Sequence, residues 1–377
     1  MQRSAFYILF FLLYIGGNYY VVSNIQKSLT PGSPLKAVTL LVAIAGIAAF
    51  FIYMFFHDAL PYQVSRFFFF AGTTWLNFFF YLFLFTLISS ILLFVNKFIP
   101  LLSPSIFQYF TKHNTLLFSI QVALISLILV GGYVNYLCKR RVNIPIQLSK
   151  TIPSDSIKIL AISDLHLGYA IGSGELRRWV QQINSEHLDM VLIAGDLIDI
   201  SLQPVIHDSL DQYLREIKAP LGVYACLGNH EYYAGADECS HFFQKANIHL
   251  LRDSAALIAN SFYVIGRDDR TNPTRKSVQQ LVSGLDRSKP LILLDHQPFH
   301  MEESEKNGID LQISGHTHDG QIWPFSLILK LIYEKKHGFI TKRNTNIYVS
   351  SGLGIWGGKF RIGTQSEYAI FHIKGNK

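Results

Sequence analysis

The sequence predicts two fold classes joined in one chain, a set of four apolar transmembrane helices followed by an α/β domain. Three observations lead there. The first 141 residues carry nine Lys/Arg, a single acid (Asp58) and four long uncharged apolar stretches. From Val142 onward the charges balance, with 24 basic residues against 25 acidic. In that second part, short β-branched apolar runs alternate with helical patterns, the order that builds an α/β sheet domain.

The apolar stretches cover about residues 4–22, 37–56, 67–95 and 114–138. Each reaches the roughly 20 residues that cross about 30 Å of hydrocarbon. The first is too long for a signal peptide, lacks a small-residue cleavage site and precedes three more spans. Tyr, Trp and Phe crowd the span ends, as at a membrane interface. The expectation is an integral, multi-pass protein whose first partner is the lipid bilayer. No span carries Lys, Arg, Asp or Glu at its centre, which argues against a transporter or channel. The cluster Lys139-Arg140-Arg141 at the last exit favours a cytoplasmic second domain. Cys138, Cys226 and Cys239 show no framework spacing.

Asn143, Pro145, Pro153 and Ser154 interrupt the periodicity and predict a linker over 142–156. The domain over 157–377 is ample for one core. Apolar strand runs end at Ser163, Gly195, Gly228, Asp295 and Gly315, and helices are predicted over 175–186, 204–217, 239–245 and 274–285. The near-neutral charge of this half disfavours a nucleic-acid partner.

Each strand run opens into a chemically loaded motif: SDLHLG (163–168), GDLID (195–199), GNHE (228–231), DHQP (295–298) and GHTH (315–318). Together they supply Asp164, His166, Asp196, Asn229, His296, His316 and His318. These are oxygen and nitrogen ligands with no thiolate, too many for one tetrahedral site but suited to two ions sharing a carboxylate. Two ions about 3.5–4 Å apart can hold a hydroxide and clamp both oxygens of an in-line displacement at phosphorus. Strand alternation is expected to point the outer residues of Asp-x-His and His-x-His to one side. Glycines 168, 195, 228 and 315 permit sharp turns and close approach. The nine other histidines, His113 and His337 among them, read as ordinary core or surface residues. Gly352–Gly358 lacks the Lys-Ser/Thr pair of a phosphate loop.

The ordered set of five motifs, over roughly residues 158–374, resembles the calcineurin-like metallophosphoesterase superfamily. The stretch GHTHDGQIWP, with SSGLG (350–354) and Glu367, is most similar to its membrane-anchored, lipid-linked branch. The resemblance implies two stacked mixed β-sheets flanked by helices. It implies Asp164, His166 and His318 on a first metal, Asn229, His296 and His316 on a second, and Asp196 bridging. His230 would protonate the leaving group, oriented by Asp199. Two divalent ions follow, manganese first, with iron or zinc as the other candidates. Many members carry Gly where this chain has Asp319, which concerns the surroundings of the ligands and not the ligands themselves. The expected activity is hydrolysis of a phosphoester, a phosphodiester included, or a pyrophosphate, the substrate being lipid-linked. The alternative is a membrane sensor or scaffold that binds a phosphorylated ligand without turnover. Intact Asp196 and His230 disfavour that alternative.

Past the last motif, Phe325, Ile328, Leu329 and Ile332 share one face of a helix expected to end at Gly338. Lys335, Lys336, Lys342 and Arg343 cluster just beyond. This segment is expected either to lie on an anionic membrane surface or to pack its apolar face on the domain core.

Overall fold

The computed structural model describes residues 2–29, 31–112, 114–152 and 156–376. His113, Pro153 and Ser154 therefore lie outside the described residues. The chain divides into two compact units, residues 1–131 and 132–377.

The first unit is helical, with helices Gln2–Ser28, Pro34–Phe56, Tyr62–Val95 and the start of Asn114–Leu137. Among the described residues, four helices are long and apolar enough to cross a membrane: Ile8–Ser28, Pro34–Phe56, Tyr62–Val95 and Thr115–Leu137. Ser33 caps the second by accepting from the Leu35 amide, with Pro34 at its first position. A Cβ on Gly72 would come within 2.6 Å of the Phe50 Cα, so the second and third helices meet backbone to backbone. A short helix over Pro104–Lys112 was not expected from the sequence.

The described residues of the second unit hold twelve strands: β1 (Arg140–Gln147), β2 (Ile157–Ile162), β3 (Met190–Ala194), β4 (Val223–Cys226), β5 (His249–Leu250), β6 (Ser254–Ile258), β7 (Phe262–Gly266), β8 (Leu291–Leu294), β9 (Leu311–Ser314), β10 (Gly338–Lys342), β11 (Thr345–Val349) and β12 (Glu367–Lys374). They form two six-stranded mixed sheets, ordered β1-β12-β2-β3-β4-β5 and β10-β11-β9-β8-β7-β6. Ile159, Ala161, Leu192 and Ala194 of the first sheet share one buried core with Val264, Ile292, Leu294 and Ile313 of the second. Strands β2, β3 and β4 run parallel, as do β8 and β9, so the carboxyl ends of each set open on the same edge of their sheet.

Part of the expected linker is strand. Val142, Ile144 and Ile146 alternate with polar residues, and β1 pairs in parallel with β12. Pro145 read as a breaker, but β1 is an edge strand, where a missing amide is tolerated. The helix expected over 204–217 is two short helices, Gln203–His207 and Leu210–Leu214, broken at Ser209, whose φ is 50°. The helix expected over 274–285 covers only Val278–Val282. The helix beginning at Phe325 ends at Ile332, and Gly338 opens β10 instead of closing a helix.

Candidate functional site

All seven expected ligands and His230 follow the carboxyl ends of β2, β3, β4, β8 and β9, with Asn229 and His230 opening the helix Asn229–Ala234 and His318 a 3-10 turn. Asp164, His166 and His318 offer ligand atoms within 4.8 Å of one another, and so do Asp196, His296 and His316. The Oδ2 of Asp196 stands 3.0 Å from His296 Nε2 and 3.8 Å from His166 Nε2, so this carboxylate lies between the two groups. The His166 and His318 Nε2 atoms face each other at 3.0 Å. Asn229 Oδ1 is buried without a hydrogen-bond partner among the described residues. Two converging imidazole nitrogens, an unanswered buried amide oxygen and flanking carboxylates fit divalent cations of oxygen and nitrogen preference.

Strand alternation is not what aims these groups. Asp164, His166, Asp196, His316 and His318 all have φ between 48° and 70°, in the left-handed region. Non-glycine residues held there are strained, and such strain collects at functional sites. Gly195 and Gly228 make room: a Cβ on Gly195 would meet His296 Nδ1 at 2.6 Å, and one on Gly228 would meet Asp196 Oδ1 at 2.2 Å.

Hydrogen bonds fix the orientations. His296 Nδ1 donates to the Ala194 carbonyl at 2.7 Å, which turns Nε2 toward Asp196. Asp164 accepts from the His316 amide and from the Ser163 hydroxyl. Asp199 Oδ1 lies 3.0 Å from His230 Nδ1 and 3.4 Å from His166 Nδ1. Burial alone would raise Asp199, but the two imidazoles outweigh it and hold the carboxyl at about 2. Burial pulls His230 down, yet Asp196 and Asp199 leave it raised. Burial, then the neighbouring His296, lowers His316 to about 3, so that ring is neutral and free to ligate.

The sequence did not point to three further residues. Glu231 is wholly buried and accepts the amides of Asp196 (3.1 Å), Ile198 (2.9 Å) and Gly228 (2.7 Å), tying the segments after β3 and β4 together. Its place three residues after Gly228 is capping-box spacing, a signal that was available. Burial, with Asp196 beside it, pushes this carboxyl up to about 7. Arg361, fully buried, donates to the His318 carbonyl at 2.8 Å and to those of Ser351 and Gly354. Arg270 stacks 4.3 Å above Phe299, whose ring is 4.6 Å from Tyr333, itself 6.3 Å from His316. Nothing local in the sequence marks either arginine. On the other rim, Tyr233 and Trp356 flank His230.

Other expected groups have plain roles. Asp319 pairs with Lys336, and Glu367 accepts from His337 at 2.8 Å and Tyr348 at 2.6 Å. Asp295 is clasped by Arg267 and Arg275 at 3.1 Å each. Of the cluster at the last membrane exit, Arg141 is paired with Glu186 and Lys139 lies 3.4 Å over the Tyr136 ring.

A calcineurin-like phosphoesterase family model matches residues 157–320. An uncharacterized metallophosphoesterase of Helicobacter pylori is 34% identical over 235 residues, covering 61% of this chain and 62% of that protein. The chain thus spans somewhat less than two thirds of that relative. An uncharacterized metallophosphoesterase of Campylobacter jejuni is 30% identical over 267 residues, covering 70% of this chain and 71% of its own length. A Danio rerio protein named a transmembrane protein with metallophosphoesterase domain is 29% identical over 236 residues, covering 58% and 54% respectively.

Proposed function

The chain belongs to the calcineurin-like phosphoesterase family, and from that premise we propose that it is a membrane-anchored hydrolase of phosphate esters or pyrophosphates using two divalent ions. The observation that carries the reading is the position of Asp196 between two sets of buried donors, 3.0 Å from His296 and 3.8 Å from His166. Asp164, His166 and His318 would hold one ion, Asn229, His296 and His316 the other, with Asp196 shared. The donor set suits manganese first, then iron or zinc. Bound ions of this kind supply Lewis acidity at phosphoryl oxygens and acidify a nearby water.

The remaining chemistry belongs to the chain. Asp199 fixes the His230 ring through Nδ1 and favours its charged form, leaving Nε2 to give a proton to the departing oxygen. Glu231 keeps the loops of Asp196 and Asn229 in register. Arg270 has no acidic partner among the described residues and offers its charge to an anionic substrate at the rim. The four apolar helices support a lipid-linked substrate, and the basic residues at 139–141 support a cytoplasmic domain.

The test uses purified full-length protein and an aryl phosphodiester. Chelation is expected to abolish hydrolysis, and Mn²⁺ to restore it with two ions per chain by elemental analysis. Asp196→Ala should cost more activity than loss of any terminal ligand. Full activity in the stripped protein would overturn the reading. Ion binding without turnover on esters or pyrophosphates would favour a phospho-ligand sensor instead.

A further inference from the structure

The helix Phe325–Ile332 (FSLILKLI) has no buried residue, although six of its eight side chains are apolar. Leu331 is 88% exposed, and Leu327, Ile328 and Ile332 are each about half exposed. Leu327 with Leu331 and Ile328 with Ile332 are four apart, so they make one continuous stripe. The core does not cover this stripe, and in water it would remain an exposed apolar patch of the kind that marks a contact surface.

The surroundings indicate what covers it. Just before the helix, the Trp323 amide donates to the Ile362 carbonyl at 2.7 Å, and the Ile362 amide donates to Gln321 at 3.1 Å. The same 361–364 segment is fastened to the end of the helix Asn114–Leu137. The Arg361 amide donates to the Gly132 carbonyl at 3.0 Å, and Asn135 Nδ2 donates to the carbonyls of Arg361 (2.8 Å) and Thr364 (2.7 Å). Gly132 to Leu137 is the closing stretch of the last apolar span. The segment that holds the start of the stripe is therefore the one bonded to the closing residues of that span. Beyond the helix, Tyr333 reaches to 6.3 Å from His316, and Thr317 Oγ1 donates to the Lys336 carbonyl at 2.5 Å. The helix thus lies between the segment bonded to residues 132 and 135 and the segment carrying His316 and His318.

We propose that Phe325–Ile332 lies in the interfacial layer of the bilayer and presents the phosphate of a bilayer-resident ester to the metal-ligand loop. This rests on the membrane-anchored hydrolase reading and gives it a substrate class, a lipid whose phosphate sits at that layer. Insertion is driven by the apolar stripe and not by charge. Lys336 is paired with Asp319, Lys342 with Glu334 at 2.5 Å and Arg343 with Glu305 at 2.9 Å, so these cations are already engaged. Zwitterionic lipid should suffice.

The experiment places the full-length protein, with exposed Cys138 replaced by Ser, in phosphatidylcholine nanodiscs. A spin label is carried at Leu331→Cys or, as a control, at Leu257→Cys on edge strand β6, at the other end of its sheet from β10. Power saturation is expected to show the Leu331 label reached by oxygen in preference to a soluble nickel chelate, and the Leu257 label the reverse. Equal nickel access at both positions would overturn the proposal. The double substitution Ile328→Asp with Leu331→Asp should lower the ratio of turnover on a vesicle-embedded phosphodiester to turnover on a soluble aryl phosphodiester by tenfold or more. An unchanged ratio would count against the helix. Failure of the metal-loaded protein to cleave either ester would sink the hydrolase reading, while the spin-label result would still decide the position of the helix.

Discussion

Asp199 Oδ1 lies 3.0 Å from His230 Nδ1, and that contact commits the ring's other nitrogen to the open side of the site. The first prediction follows from it. His230→Ala is expected to lower turnover by roughly 10²–10⁴-fold while metal content stays at the wild-type level. The loss should shrink for aryl esters whose leaving groups have low pKa values and need no proton. Asp199→Asn should show the same leaving-group dependence in milder form. A kcat series across substituted phenols, with elemental analysis of each variant, checks this.

Glu231 is expected to act on geometry. Replacing it with Ala leaves the buried amides of Asp196, Ile198 and Gly228 without an acceptor. Each unmatched buried donor costs about 1–3 kcal/mol, so the variant should unfold at clearly lower temperature and bind its ions more weakly. Calorimetry and metal titration measure the two effects. Normal ion affinity at normal stability would show that the loops hold without it.

Asp268 provides a pH test away from the candidate metal ligands. Burial would raise its pKa, but hydrogen bonds from Asn272, Tyr232 and Arg252 outweigh it, leaving the carboxyl below its ordinary value. The unfolded chain therefore binds the proton first as pH falls, and stability rises with pH across that window. This contribution is complete above about pH 4 and is lost as pH falls through the folded value. Asp268→Asn should cost about 1–3 kcal/mol at neutral pH, and the difference from wild type should narrow in acid. Denaturant titrations at several pH values read it out.

Arg270→Ala should raise KM for a pyrophosphate-bearing substrate about tenfold, equivalent to about 1.4 kcal/mol, with little change in kcat. Arg270→Lys should recover only part, since an ammonium cannot stack on Phe299 as a planar guanidinium does. A fall in kcat with unchanged KM would assign this arginine to the chemical step instead.

The segments that carry the candidate metal ligands could be read from the sequence because the runs before them are local. MVLIA and LILL are apolar along their whole length and IKILAI at every position but Lys158, and each ends where the candidate ligands begin. The four spans could be read for the same reason, since length and apolarity are local properties. What escaped depends on distant partners. Pro145 looks like a breaker until β12, more than two hundred residues later, supplies the strand beside it. Arg361 reads as one more surface cation, yet the carbonyls of His318, Ser351 and Gly354 converge on it. Strand alternation also gave the wrong reason for the Asp-x-His geometry, because positive φ angles aim those side chains. The helix at Phe325 was legible as amphipathic, but whether its apolar face met the core or remained exposed depended on neighbours that no local pattern records.

Strand β12 lies between β1 and β2, pairing in parallel with the first and antiparallel with the second. This arrangement bears on the order of events during synthesis. Ribosomes deliver the apolar helices first, then β1 and β2, and the strand that must separate those two only after two hundred further residues. Until β12 arrives, β1 and the outer side of β2 present unpaired amides and carbonyls, the open edges that recruit wrong partners. The nascent domain is therefore vulnerable for most of its translation, tethered beside lipid with a vacancy in its sheet.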